Sequence, residues 1–125
     1  MPALPAFDII VDSDRNLVRT RFVGNITEAA MKQAVIKVEA LLPQVKPGFS
    51  IFANLGQVES MDLDSARPLT QIMDLCRVRG VALIVRILPP KDRDIGINLL
   101  SIVHYRGRVR TVTVESVAEA ERILG

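Results

Sequence analysis

Phe49-Ser50-Ile51-Phe52-Ala53-Asn54-Leu55 and Met61-Asp62-Leu63-Asp64-Ser65-Ala66, separated by Gly56-Gln57-Val58-Glu59-Ser60, decide the fold class. The first stretch is apolar and reads as a buried strand over 49–55. The second opens an amphipathic run that reaches Arg79 and is stopped by Gly80. Val81 to Ile87 follows, β-branched and nearly continuously apolar, bounded by Gly80 and Pro89-Pro90. Such a run predicts a central strand covered on both faces. A strand, a helix and a second strand in this order require a right-handed crossover and parallel pairing. The same unit presents a short acidic, hydroxyl-bearing loop at the carboxyl end of a strand and the amino end of a helix. Unpaired N–H groups and roughly half a positive charge at that end favour an anion or phosphate.

Working outward, Phe7 to Val11 predicts a strand, Asp12-Ser13-Asp14-Arg15-Asn16 a turn, and Leu17 to Val23 a second strand forming a β-hairpin. Asn25 with Glu28, or Thr27 alone, caps a helix reaching about Leu42, with Ala30, Ala34, Val38 and Leu41 at helical spacing. Pro43 and Lys46-Pro47-Gly48 end it. In the second helix Leu69, Ile72, Met73, Cys76 and Val78 form the apolar stripe, and Pro68 is tolerated in the first turn. A third helix is expected from Asp92 or Asp94 to about Tyr105. Val109 to Val114 alternates as a last strand, and Ser116-Val117-Ala118-Glu119 is a capping box for a helix ending near Leu124. The expected order is β-β-α-β-α-β-α-β-α: an α/β fold with a mixed, mostly parallel sheet of about five strands, an N-terminal hairpin and about four helices.

The chain has 125 residues, 49% hydrophobic and 24% charged, which fits a single domain over 1–125 with a core that needs no staples. Aromatics are 4% and Trp is absent, so the core should be aliphatic. No apolar run approaches bilayer length and no basic, apolar leader opens the chain, so no transmembrane segment is expected. One cysteine, Cys76, admits no internal disulfide, and a cytoplasmic location follows as the expectation. Sixteen basic residues nearly balance fourteen acidic ones. Arg86, Lys91 and Arg93, with Arg106, Arg108 and Arg110 further on, suggest a basic patch for an acidic partner, phosphate or anionic head groups. Without aromatic interleaving or a recognition helix, nucleic acid is not expected.

Catalysis has little to build on. His104 and Cys76 cannot make a metal site with so few partners, and no Gly-rich phosphate loop or nucleophilic triad is legible. No enzyme, metal or cofactor is therefore expected. His104 reads as a helix-end contact and Cys76 as an inert core thiol.

The element order, with Val58-Glu59-Ser60-Met61-Asp62 leading into the loop, Arg79-Gly80-Val81-Ala82-Leu83-Ile84-Val85 leaving the helix, and Val112-Thr113-Val114-Glu115-Ser116-Val117-Ala118-Glu119-Ala120 at the end, resembles the STAS domain family of anti-sigma factor antagonists. In that family the strand is followed by Asp-Ser-Ser-Gly. With Asp62 on the family's Asp, Asp64 falls on the phosphorylatable Ser and Ser65 on the Gly; a shift of one residue makes Ser65 the acceptor. The resemblance implies a STAS-like, SpoIIAA-like fold and a non-catalytic signalling role in transcription regulation in bacteria. It also implies reversible binding to a protein partner such as a serine kinase/anti-sigma factor. A related group, the SpoIIAA-like domains, implies instead a carrier for a lipid or other apolar small ligand.

Three sets of residues follow. Asp62, Asp64, Ser65 and Arg67 form the partner-facing or phosphorylated loop, against the plainer role of Asp64 or Ser65 as a helix cap. Ile95, Ile97, Leu100 and Val103 of the third helix offer an apolar surface for a partner, a ligand or a homodimer mate. Arg86, Lys91 and Arg93 supply the basic patch beside it.

Overall fold

The computed structural model describes residues 6–90, 94–95 and 109–125, the pair 94–95 by backbone alone. Strand β1 (Phe7–Asp12) and strand β2 (Leu17–Ile26) form the expected antiparallel hairpin. Asn16, at φ 50°, takes the left-handed position of its turn. Its side chain accepts from the Lys46 N–H at 2.9 Å and donates to the Lys46 carbonyl at 3.1 Å. Asparagine tolerates this conformation because its short amide bonds locally.

Helix α1 (Glu28–Leu41) is capped by Thr27, whose hydroxyl accepts from the Ala30 N–H at 3.1 Å. Met31, Ala34, Val35 and Val38 make its buried face. Strand β3 (Ser50–Met61) leads through a 3-10 turn, Leu63–Ser65, into helix α2 (Ala66–Arg79). Gly80 ends α2 in the left-handed conformation, its N–H bonding to the Cys76 and Arg77 carbonyls, the C-cap geometry glycine permits. Strand β4 (Leu83–Ile87), the two-residue strand β5 (Asp94–Ile95), strand β6 (Arg110–Thr113) and helix α3 (Val117–Leu124) complete the described chain. Ser116 caps α3 by accepting from the Glu119 N–H at 3.2 Å.

The sheet order is β1-β2-β3-β4-β6, with β5 on the far end of β3. The β2/β3, β3/β4 and β4/β6 pairs are parallel. Strands β2 and β3 end together at Ile26 and Met61, whereas β4 and β6 end short of them, with Ile87 opposite Asn54 and Thr113 opposite Arg86. Helices α1 and α2 pack on one face over Ile9, Val18, Phe22, Ile51, Leu55 and Ile84. On the opposite face α3 sets Ala120 against Leu17, Phe52, Val85 and Val114. Alternate residues of β4, Ile84 and Val85, enter the two cores, as expected of a strand covered on both sides. Among the described residues no helix is long and apolar enough to cross a membrane.

Several expectations need correction. Strand β2 continues three residues past Val23, and β3 runs through 56–60 instead of yielding to a loop after Leu55. Two register shifts, between Arg21 and Val23 and between Gly24 and Asn25, let the strands stay paired to their ends. The described residues hold three α-helices, where about four were expected. Most of the expected third helix lies outside the described residues, but its proposed start does not: Asp94 and Ile95 pair in parallel with Ser60 and Met61 as strand. Val78 is exposed and off the α2 stripe.

Candidate functional site

Two places merit description, the acidic junction between β3 and α2 and a cavity between the sheet and its two helices. At the junction, Asp62 is extended and its N–H bonds to the Ile26 carbonyl at 2.9 Å, tying the ends of β2 and β3. Nearby, Ser60 donates to the Asn25 side-chain oxygen at 2.6 Å across the same pair of strands. The Ser65 N–H then returns to the Asp62 carbonyl at 2.9 Å, closing the 3-10 turn. Neither Asp62 nor Ser65 makes a side-chain capping bond.

The turn sorts the four expected residues into two classes. Asp62, Asp64 and Arg67 are exposed. Ser65 is 0% exposed, and its hydroxyl has no hydrogen-bond partner. The 3-10 turn packs against α1 and rolls Ser65 inward. Ser65 is thus neither surface nor cap, which corrects both readings made for it. The same rotation sends Leu63 outward to 64% exposure, between the two carboxylates. Sequence reading overlooked Leu63. One signal was available: stepping back along the α2 face from Leu69 by three or four residues reaches Ala66 or Ser65, never Leu63.

The cavity, about 90 Å3, lies between the sheet and helices α1 and α2. Ile9, Phe22, Ile51 and Ile84 line it from the strands, and Val38, Leu69, Ile72, Met73 and Cys76 from the helices. Burial pushes the Cys76 thiol up to about 12, so it stays protonated and unreactive. Two polar side chains share the wall, Thr20 and Arg86. Thr20 donates its hydroxyl to the Phe52 carbonyl at 3.1 Å.

Arg86 overturns its expected place in a surface basic patch. It is 4% exposed, on the α1/α2 face of β4, and its Nε donates to the Thr113 hydroxyl on β6 at 2.9 Å. Desolvation lowers its pKa below the ordinary guanidinium value, because burial disfavours the charged form. Lys91 and Arg93, the other members of that patch, and Ile97, Leu100, Val103 and His104 lie outside the described residues. For Ile95 only the backbone is described.

No family model matches the chain, and no curated protein matches it in sequence. Solved structures do. The unphosphorylated anti-sigma factor antagonist SpoIIAA superposes with a TM-score of 0.63 at 19% identity, covering 96% of this chain and 99% of that one. The phosphorylated form of SpoIIAA, the Bacillus cell fate determinant, gives 0.61 at 19% identity over 94% of this chain and 99% of its own. An uncharacterised DUF3478-family protein from Shewanella loihica PV-4, described as having a SpoIIAA-like fold, gives 0.68 at 12% identity over 100% of this chain and 98% of that one. The chain therefore has a STAS-like, SpoIIAA-like fold along nearly its whole length.

Proposed function

We propose that this chain is a non-catalytic regulatory module that binds a protein partner reversibly through the Asp62–Arg67 junction. One observation carries the reading: Leu63 stands 64% exposed between two exposed carboxylates at the carboxyl edge of a central strand. A large apolar side chain ringed by charge is the usual composition of a contact point, with burial giving affinity and the carboxylates giving orientation. The fold shared with an anti-sigma factor antagonist supports a regulatory role, and a serine kinase or anti-sigma factor is the partner class we favour. Ser65 is enclosed, so a kinase would reach its hydroxyl only after the junction opens. We therefore read the surface as a constitutive binder, with the fixed charge of Asp64 in place of a switchable phosphate. Cross-linking from a photoreactive residue at position 63 should capture a partner in the native host. A probe at Ile36, equally exposed on α1, should not. Capture should vanish when Asp62 and Asp64 are both changed to Lys. Equal capture from both probes would refute the assignment.

A second reading, a carrier of a small apolar ligand, is favoured by the cavity. Its volume limits what that ligand can be. An apolar cavity of roughly 150 Å3 accommodates benzene, so about 90 Å3 is too small for a full lipid acyl chain.

A further inference from the structure

We propose that the outer edge of strand β1 is a self-association surface: two copies of this chain join β1 to β1, antiparallel, about a two-fold axis at Ile9. The surface lies apart from the acidic junction and is independent of its role. β1 is the end strand of the sheet, and one bond fixes which of its backbone groups face out. The Val23 N–H donates to the Ala6 carbonyl at 2.9 Å, which makes Ala6 and Val23 a bonded pair of the hairpin. Bonded and non-bonded pairs alternate along an antiparallel ladder. Asp8, Ile10 and Asp12 therefore bond to β2, and Phe7, Ile9 and Val11 turn their N–H and C=O groups outward. Among the described residues nothing bonds to those outward groups. A row of open donors and acceptors is a template for another strand. Side chains alternate along the same strand. Ile9 enters the core under α1 and α2, with Phe7 and Val11 half-buried against it. Asp8, Ile10 and Asp12 take the other face, where Ile10 is 51% exposed.

Charge selects a second copy and its register. A symmetric pairing must set outward residues against outward residues, which leaves centres at Asp8, Ile9 or Ile10. Centred on Asp8, that carboxylate faces its own mate. Centred on Ile10, Asp8 faces Asp12 on both sides of the axis. Like charges directly opposite are destabilising. Centred on Ile9, Phe7 faces Val11, Ile9 faces Ile9, and each Asp8 faces an Ile10. No carboxylate then opposes another, every outward group of the strand is paired, and Ile10 is covered.

Sedimentation equilibrium of the full chain over a concentration series should show a reversible monomer–dimer equilibrium. Hydrogen exchange over the same series should show the Phe7, Ile9 and Val11 amides gaining protection as concentration rises. Two substitutions of the exposed Ile10 test the register. Ile10→Asp puts a carboxylate opposite Asp8 of the second copy and should weaken association by about tenfold or more. Ile10→Lys puts an ammonium there and should preserve or tighten it. Val11→Pro removes an outward N–H without breaking a hairpin bond and should weaken the dimer too. A chain that stays monomeric throughout, or a dimer in which those three amides stay unprotected, overturns the proposal. Equal weakening by Ile10→Asp and Ile10→Lys refutes the register centred on Ile9. Should Val11→Pro not fold, the two Ile10 variants, at an exposed position, still decide.

Discussion

A single orphaned oxygen separates the two faces of the acidic junction. Ser65 Oγ is buried without a partner, and an unmade bond in a dry site costs free energy that no contact returns. Ser65→Ala should accordingly raise the unfolding free energy by about 1 kcal/mol, measured by urea denaturation. A loss of similar size would mean that the hydroxyl has found a partner. Leu63 is the converse case, an apolar side chain left in water two residues away. Both outcomes come from the tightness of the 3-10 turn, which places residues 63–65 at three per turn instead of 3.6. Arg86 makes the same point with a charge. An arginine between two apolar runs looks like solvent-facing edge, yet parallel pairing with both β3 and β6 puts it indoors.

Elements held their expected identities where the chemistry was local. Thr27 and Ser116 cap their helices through bonds reaching three residues ahead, and Gly80 terminates α2 at φ 101°. Gly80 is also wedged: a Cβ there would lie 3.2 Å from Pro47 Cβ. Gly80→Ala should cost on the order of 2–3 kcal/mol, from the left-handed backbone and the forced shift of Pro47. Gly24→Ala has the same backbone penalty at φ 77° but open space around it, so it should cost about 1 kcal/mol. Thermal unfolding of the two variants checks the difference; equal losses would show that the Pro47 contact is without weight. Strand ends were less legible. The bulges that extend β2 and β3 to Ile26 and Met61 depend on a partner strand, and no periodicity within either segment encodes that partner.

At the scale of the whole molecule, helix α3 is clasped to the hairpin by charge. Arg19 grips both Glu121 oxygens, with Nη2 to Oε2 at 3.1 Å, and Arg15 reaches Oε2 at 3.4 Å. The Arg19 hydrogen bond, then its charge and that of Arg15, hold the Glu121 carboxyl below its ordinary value of 4.5. A carboxyl depressed in the folded state stabilises the fold above its unfolded pKa, and that contribution is lost as pH falls through the folded value. Glu121→Gln should therefore cost less than about 1 kcal/mol at neutral pH, because the pair is partly solvated. The difference from wild type should fade as pH falls below the ordinary carboxylate range and through the depressed folded value, and in about 1 M salt. A gap independent of both would assign the loss to packing instead. The parallel α/β order, the hairpin, the caps of α1 and α3 and the acidic stretch after β3 were decided by the chain alone, because periodicity, capping and turn chemistry act over a few residues. Which of Leu63, Asp64 and Ser65 meets water, and whether Arg86 faces solvent or a cavity, only the assembled layers decided. Burial is conferred by segments remote in sequence, here α1 lying over the 3-10 turn and β3 and β6 flanking β4.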